Sequence, residues 1–286
     1  MKRCRETILS AIKGHGHYGI LLPALVALAL WAGCGGETST APSLLADPTA
    51  PLSGRLESEH FAFYFAAGDA VSAVQVEALE RHYRGFARDF GVSIPWRIRY
   101  FKYFSRAHAE YHTDSGEDSF GEGGLFDIHT VRPDNVGMTI HLLAAQMGRP
   151  VDFFHVGLET ACPGYYTNGH ARFGTGRLHE QVGREIAMGR LREPRELLDN
   201  EAFDRASIQA LAACQAGSFV RYLLDEYGTA PFKRLYGNVD RDDAVDMVEE
   251  KFAAAYGLAF ERAVEDWEAF IRSQHAIPLT NHLDRR

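Results

Sequence analysis

Three side chains in the middle of the chain have the chemical types and the spacing of metal ligands. His155 and Glu159 stand four residues apart, so on a helix they share one face. His141 precedes them by a short segment and is able to approach the same face from a neighbouring element. Because zinc accepts imidazole nitrogens and carboxylate oxygens, a metal site at His141, His155 and Glu159 is one hypothesis.

The competing interpretation is that these side chains bind no metal. The chain contains 13 histidines, and among so many a His/Glu pair at helical spacing on a solvated face is common. On this view His141 is a partly buried histidine with ordinary hydrogen-bonding partners, and no cofactor is expected. His129, Cys162 and His170 lie in the same region of the sequence.

The segments that contain these residues also have the layout of a zinc-peptidase centre. Gly137-Met138-Thr139-Ile140-His141 is followed by Val156-Gly157-Leu158-Glu159. In gluzincin peptidases one helix carries two zinc-binding histidines four residues apart, with a general-base glutamate after the first, and a later helix supplies a ligand glutamate. The two segments resemble this arrangement, although most of the functional side chains are replaced.

In the first of two possible registers, His141 stands at the second histidine. Gly137 then replaces the first histidine, Met138 the general base and Val156 the ligand glutamate. His155 and Glu159 lie one residue before and three residues after this last position, so neither replaces the ligand directly. The resemblance implies a degenerate member of the family, with one of three ligands left and no proton-accepting oxygen for the hydrolytic step.

In the second register His141 is the first histidine, Leu142 replaces the base and Ala145 replaces the second histidine. The resemblance covers roughly residues 57–273, since the segments 216–228 and 252–271 are similar to later helices of bacterial gluzincin-like (peptidase MA-like) proteins. It implies a zincin-like α+β fold. Tyr165, Tyr166 and His170 form a polar-aromatic loop that is either a plain surface loop or a lining of the former substrate cleft.

The N-terminus has the pattern of a bacterial export signal. A basic region precedes an apolar run at 20–32 and Gly33-Cys34. The run is shorter than the ~20 residues of a membrane-spanning helix, which predicts that residues 1–33 are removed. Leu30-Trp31-Ala32-Gly33-Cys34 resembles a lipobox, so Cys34 is expected to carry the lipid anchor; an ordinary secretory signal is the alternative.

The composition of the predicted mature protein indicates where it is located and which classes of partner it binds. Removal of residues 1–33 takes away four basic residues and Glu6, which changes the net charge from −8 to −11. Such an acidic chain is a poor nucleic-acid ligand. Residues 34–56 are rich in Gly, Ser, Thr, Pro and Ala and predict a flexible tether. Gly35 implies, by resemblance, sorting to the outer membrane, with the membrane and a peptide or envelope protein as partners.

Two cysteines remain after Cys34, namely Cys162 and Cys214. In an oxidising compartment two remaining cysteines favour a disulfide. The gluzincin resemblance places them on two helices that are neighbours in that family. A bridge closing this loop of ~50 residues would contribute about 4 kcal/mol in the chain-entropy model. Two buried free thiols are the alternative.

The order of elements predicts an α+β domain at 57–275. Its sheet part covers about 57–132 and its helical part about 133–275, and a tail at 276–286 follows the domain. Alternating aromatic residues predict strands near 61–65 and 96–100, and a helix between them that ends at Gly91. Residues 125–131 predict a further strand, by analogy the edge strand of a peptidase cleft, and 114–124 predict a loop. Strands first and helices later are typical of α+β domains.

These observations lead to two functional hypotheses. The favoured one is a lipid-anchored envelope protein with a peptidase-like fold that has lost catalysis and acts as a binding or scaffolding module. The alternative is an active zinc-dependent metallopeptidase with rearranged metal ligands. The amount of metal held by the purified protein distinguishes the two.

Overall fold

A computed structural model describes residues 47–113, 115, 119–122, 126–131, 136–166, 175–207 and 211–274. Several features predicted from the sequence lie outside these residues. They are the signal peptide, the predicted lipidation site Cys34, the tether up to residue 46, His170 and the tail. Within the described part, no helix is both long and apolar enough to cross a bilayer.

Five short strands form one mixed sheet in the order β1-β2-β3-β5-β4. The central strands β2 (Phe61–Phe65), β3 (Ile98–Lys102) and β5 (Asp127–Thr130) are parallel to one another. The outer strands β1 (Gly54–Glu57) and β4 (Ser119–Glu122) run antiparallel to β2 and β5. The register pairs Phe63 with Tyr100 and Tyr100 with Ile128, and because side chains alternate along a strand, these fully buried residues line one face.

The structure corrects the prediction for residues 114–131. The strand at 125–131 exists as β5, but it does not lie at the sheet edge, because β4 pairs with its outer side. β4 arises within 114–124, where the sequence predicted only a loop. Glycine and acidic residues have low β-propensity, so this strand depends on pairing with β5 rather than on its own composition.

Ten helices are present in the described residues. They are α1 (Ala73–Phe90), α2 (Arg106–Thr113), α3 (Val136–Ala144), α4 (Asp152–Tyr166), α5 (Thr175–Ala187), α6 (Asn200–Ser207), α7 (Leu211–Tyr227), α8 (Thr229–Asn238), α9 (Val245–Tyr256) and α10 (Phe260–Gln274), with a single 3₁₀ turn at Glu196–Leu198. A capping box between Ser72 and Gln75 begins α1, and Gly91 ends it with φ of 61°. The predicted mixed α+β organisation, with an N-terminal sheet and a mostly helical C-terminal half, is confirmed.

The helices α4 and α7 form the closest packed pair in the helical half. A Cβ atom at Gly157 would lie 2.6 Å from Val220 Cγ2 and 2.9 Å from the Ala216 carbonyl oxygen. A Cβ atom at Gly217 would lie 2.7 Å from Thr160 Cγ2. Since real Cβ atoms do not approach other atoms so closely, the two glycines allow these helices to meet nearly backbone to backbone.

The predicted disulfide between Cys162 and Cys214 is absent from the structure, where both residues are free thiols. Cys162 in α4 is buried and Cys214 near the start of α7 is half-buried. Thr160 faces α7, and Cys162 comes two residues later, about 200° further around a helix with 3.6 residues per turn. This rotation turns Cys162 off the helix face that carries Thr160, so adjacency of the helices alone does not bring the thiols into bonding range.

Candidate metal centre

The helices α3 and α4 bring His141 to the face that carries His155 and Glu159. His141 lies in the second half of α3, and the next two lie in the first half of α4, four residues apart. Their side chains are 28%, 18% and 16% exposed, respectively. The cluster is thus embedded between the helices but still reached by solvent on one side.

The donor atoms of these side chains form a compact triangle. His141 Nδ1 is hydrogen-bonded to Glu159 Oε1. His155 Nε2 lies 3.0 Å from the same oxygen and 3.0 Å from His141 Nδ1. The structure therefore brings together the three residues that the sequence offered as an alternative metal site, as one of two such groups in the described part of the chain.

The other nitrogen of His155 has a partner from a distant part of the chain. His155 Nδ1 lies 2.5 Å from the hydroxyl oxygen of Tyr236, which is fully buried in α8. Sequence reasoning missed Tyr236, because a residue 81 positions away leaves no local pattern that connects it to the site.

The electrostatics of the cluster keep the carboxylate charged. Burial by itself raises the pKa of Glu159, but the positive character of His155 and the hydrogen bonds from both histidines outweigh it and lower that pKa to about 2. For His141, burial lowers the pKa, and the hydrogen bond and charge of Glu159 more than reverse this effect, so that it is raised. A fixed negative charge therefore faces two imidazoles.

No family model, curated protein or solved structure matches this chain. The gluzincin resemblance therefore depends on the residues of α3, α4 and the later helices alone.

The donor set fits a zinc ion. Zinc binds histidine nitrogen and carboxylate oxygen at about 2.0–2.2 Å, which separates the ligand atoms of a tetrahedral site by about 3.3–3.6 Å. The two 3.0 Å separations at His155 Nε2 are only slightly smaller. An ion would replace the hydrogen bond between His141 Nδ1 and Glu159 Oε1 and move the three donors apart, and three protein ligands would leave one coordination position without a protein donor.

The gluzincin resemblance assigns further ligand positions to residues that are not metal-binding types, and these residues contribute no donors to the cluster. In the first register, Met138 and Val156 are half-buried and pack against the hydrophobic core, and Gly137 lies in the first turn of α3. In the second register, Leu142 is fully buried and Ala145 follows the last residue of α3. Only the first register keeps both histidine positions within one helix.

Two other residues of this region, His129 and Cys162, are not part of the cluster. Tyr165 and Tyr166 belong to the last turn of α4, where the structure describes the backbone only, so a cleft-lining role stays a prediction. His129 instead pairs with the Tyr103 hydroxyl at 2.9 Å. Cys162 is buried, and burial raises the pKa of its thiol.

A second group of possible ligands, formed by Glu59, His60 and Glu80, has a structural explanation. Glu80 accepts hydrogen bonds from the backbone N–H of His60 at 2.8 Å and from its ring Nδ1 at 2.6 Å. The Arg84 guanidinium lies 3.6 Å from both Glu59 and Glu80. Because a protein cation already stands between the carboxylates, this group holds the turn between β1 and β2 and is not a metal site.

Proposed function

We propose that this protein is a zinc-dependent peptide-binding protein of the bacterial cell envelope. His141 Nδ1, His155 Nε2 and a Glu159 oxygen would hold one zinc ion. The single observation that carries the proposal is the convergence of these three donors from two helices, with His155 Nε2 3.0 Å from each of the other two donor atoms.

The ligand set determines what the site does with a bound molecule. Two histidines and a glutamate with an open position form a type of set found in catalytic rather than structural zinc sites. Zinc held there supplies Lewis acidity, which binds a carboxylate or polarises a carbonyl oxygen. The charge on Glu159 would offset part of the charge of the ion, and the partly exposed His141 side chain gives solvent access to the cluster.

The peptide as ligand, the zincin-like fold and the envelope location are parts of the same proposal. They are supported by the resemblance of α3 and α4 to gluzincin site helices, by the sheet followed by helices, and by the export pattern that ends at Cys34. Export and a lipid anchor would locate the domain in the cell envelope, where it would meet envelope peptides.

Catalysis is the second candidate function, namely a metallopeptidase with rearranged ligands. The open ligand position favours it. Against it, Met138 and Leu142 occupy the two possible positions of the general base, and neither has a proton-accepting oxygen. Zinc-dependent peptide binding without rapid hydrolysis is therefore the function that the site supports best.

Metal analysis of the mature chain tests the proposal. The protein is expressed without a histidine tag in zinc-supplemented medium and purified, and its metal content is measured by plasma mass spectrometry. We expect about one zinc per chain, and loss of it in the single variants His141→Ala, His155→Ala and Glu159→Gln. His112→Ala, an exposed histidine on α2, is the matched control and should keep its zinc.

Two outcomes would contradict the proposal: wild-type protein without tightly held metal, or a Glu159→Gln variant that keeps full occupancy. Chelator-sensitive cleavage of a peptide library by the wild-type protein would instead establish the metallopeptidase alternative. Peptide binding that requires zinc, measured by calorimetry with and without chelator and without cleavage, supports the binding function.

A further inference from the structure

We infer that Tyr236 is a positioning residue for the metal ligand His155. Its hydroxyl group is the hydrogen-bonding partner of His155 Nδ1 and thereby directs Nε2 of the same ring towards His141 and Glu159. The inference rests on the proposed zinc site and adds a residue from α8 that touches neither of the other two ligands in any hydrogen bond of the described structure.

The geometry of the imidazole ring explains why this partner matters. The two ring nitrogens point in different directions, so a partner at Nδ1 sets both the orientation of the ring and the tautomer available at Nε2. When Nε2 binds a metal, its lone pair is engaged and the ring proton stands on Nδ1. That N–H then donates to the Tyr236 oxygen, as in other metal sites where the second nitrogen of a ligand histidine donates to a fixed acceptor.

A tyrosine is suited to this position because its hydroxyl both donates and accepts. In a neutral ring without metal, a proton on Nε2 would donate to Glu159 across the 3.0 Å contact. Tyr236 O–H then donates to the Nδ1 lone pair. Zinc binding would reverse the direction of this hydrogen bond, so the same pair of side chains would stay in contact in both states.

The position of Tyr236 is fixed by close packing of the backbone around it. A Cβ atom at Gly148 would lie 3.1 Å from the Tyr236 carbonyl oxygen, and one at Gly237 would lie 3.3 Å from the Met147 carbonyl oxygen. The connection between α3 and α4 thus lies directly against the end of α8. This contact holds the hydroxyl next to His155, and the ring of Phe232, with its centroid 5.9 Å away, supports the Tyr236 ring.

The alternative role for Tyr236 is simple filling of the core. Tyr256 provides a comparison, because its hydroxyl oxygen is also buried but has no hydrogen-bond partner among the described residues. If Tyr236 only filled space, loss of either hydroxyl would have the same small effect on metal binding. If it positions His155, only Tyr236→Phe would weaken metal binding.

The experiment compares the zinc affinities of wild type, Tyr236→Phe and the matched control Tyr256→Phe. Each protein is stripped of metal and titrated with zinc in competition with a chromophoric chelator. We expect Tyr236→Phe to bind zinc about 10- to 100-fold more weakly, as when other such partners are removed, and Tyr256→Phe to stay within about 2-fold of wild type. Equal affinities of all three proteins, or equal losses in both variants, would overturn the role of Tyr236 but leave the zinc site intact.

A spectroscopic measurement on the wild-type protein provides a readout that a purely structural role would not change. Long-range ¹H–¹⁵N correlations of the zinc-bound form should show His155 protonated at Nδ1 and bound to metal through Nε2. Zinc bound through Nδ1 would exclude the inference, even if Tyr236→Phe proved unable to fold. Wild-type protein that takes up no zinc would overturn the proposed function, and this inference with it.

Discussion

His141 Nδ1 and His155 Nε2 lie 3.0 Å apart, although the two residues belong to different helices. Both nitrogens also contact the same oxygen of Glu159. Without metal, both imidazole rings satisfy the carboxylate by hydrogen bonding to it. A shared cation satisfies all three groups at once, since each then donates a lone pair to it.

Zinc should therefore stabilise the folded protein. Because the donors converge only in the folded chain, bound metal adds RT ln(1 + [Zn]/Kd) to the free energy of unfolding, about 2.7 kcal/mol at a free zinc concentration of 100 times Kd. Denaturant unfolding with buffered zinc and with chelator measures this difference. It should vanish in His141→Ala. An identical zinc effect in that variant would show that the ion acts elsewhere.

The close contact of α4 and α7 predicts a large effect of a small substitution. Gly157→Ala should lower the free energy of unfolding by about 1–3 kcal/mol, the usual cost of overpacking, because the added Cβ would meet the Ala216 carbonyl oxygen at 2.9 Å. Thermal and urea unfolding measure this change. Combining it with Val220→Ala should give little rescue, since the backbone contact remains; full rescue would show that the side-chain contact alone sets the limit.

The sequence predicted those features that depend on local patterns. Alternating residues predicted β2 and β3, and the 3.6-residue period together with Gly91 predicted α1 and its end. The four-residue spacing of His155 and Glu159 likewise predicted their common face on a helix. Such signals survive because each is contained within a few neighbouring residues.

The features that the sequence did not predict depend on contacts between distant segments. β4 is formed by pairing with β5, and Tyr236 reaches the site from α8. The approach of His141 to the α4 face was only one of two interpretations, because the crossing of α3 and α4 is determined by packing. The failed Cys162–Cys214 prediction has the same origin: helix adjacency was inferred, but the direction of each side chain around its helix was not.

The free thiols in the structure give a direct chemical prediction. A Cys34→Ser variant that is exported to an oxidising compartment and analysed by intact mass under non-reducing, denaturing conditions should react with two equivalents of a thiol reagent, at Cys162 and Cys214. In the folded state Cys162 should be protected, because it is buried and burial raises the pKa of its thiol, which reduces the reactive thiolate. A mass lower by two hydrogens and no thiol reaction would restore the predicted disulfide.

The buried carboxylate Glu80 predicts how stability depends on pH. Burial alone would raise its pKa, but the hydrogen bonds from the His60 N–H and the His60 ring outweigh this effect, so the pKa in the folded state lies below the ordinary value of 4.5. A carboxyl group with a lowered pKa stabilises the folded state above its unfolded pKa, and this contribution is lost as pH falls from 4.5 through the folded pKa.

Glu80→Gln should accordingly lower the free energy of unfolding at pH 7 by about 1.5–3 kcal/mol, the range for hydrogen bonds to a charged group. The difference from wild type should shrink below pH 4.5, where the wild-type carboxylate also becomes protonated. Urea unfolding at several pH values measures both effects, and Glu77→Gln, an exposed glutamate on the same helix, is the matched control with little expected change. A Glu80→Gln deficit that stays constant down to pH 3 would mean that the amide NH₂ donors, rather than the loss of the carboxylate charge, weaken the turn between β1 and β2, because Gln and Glu have nearly the same shape.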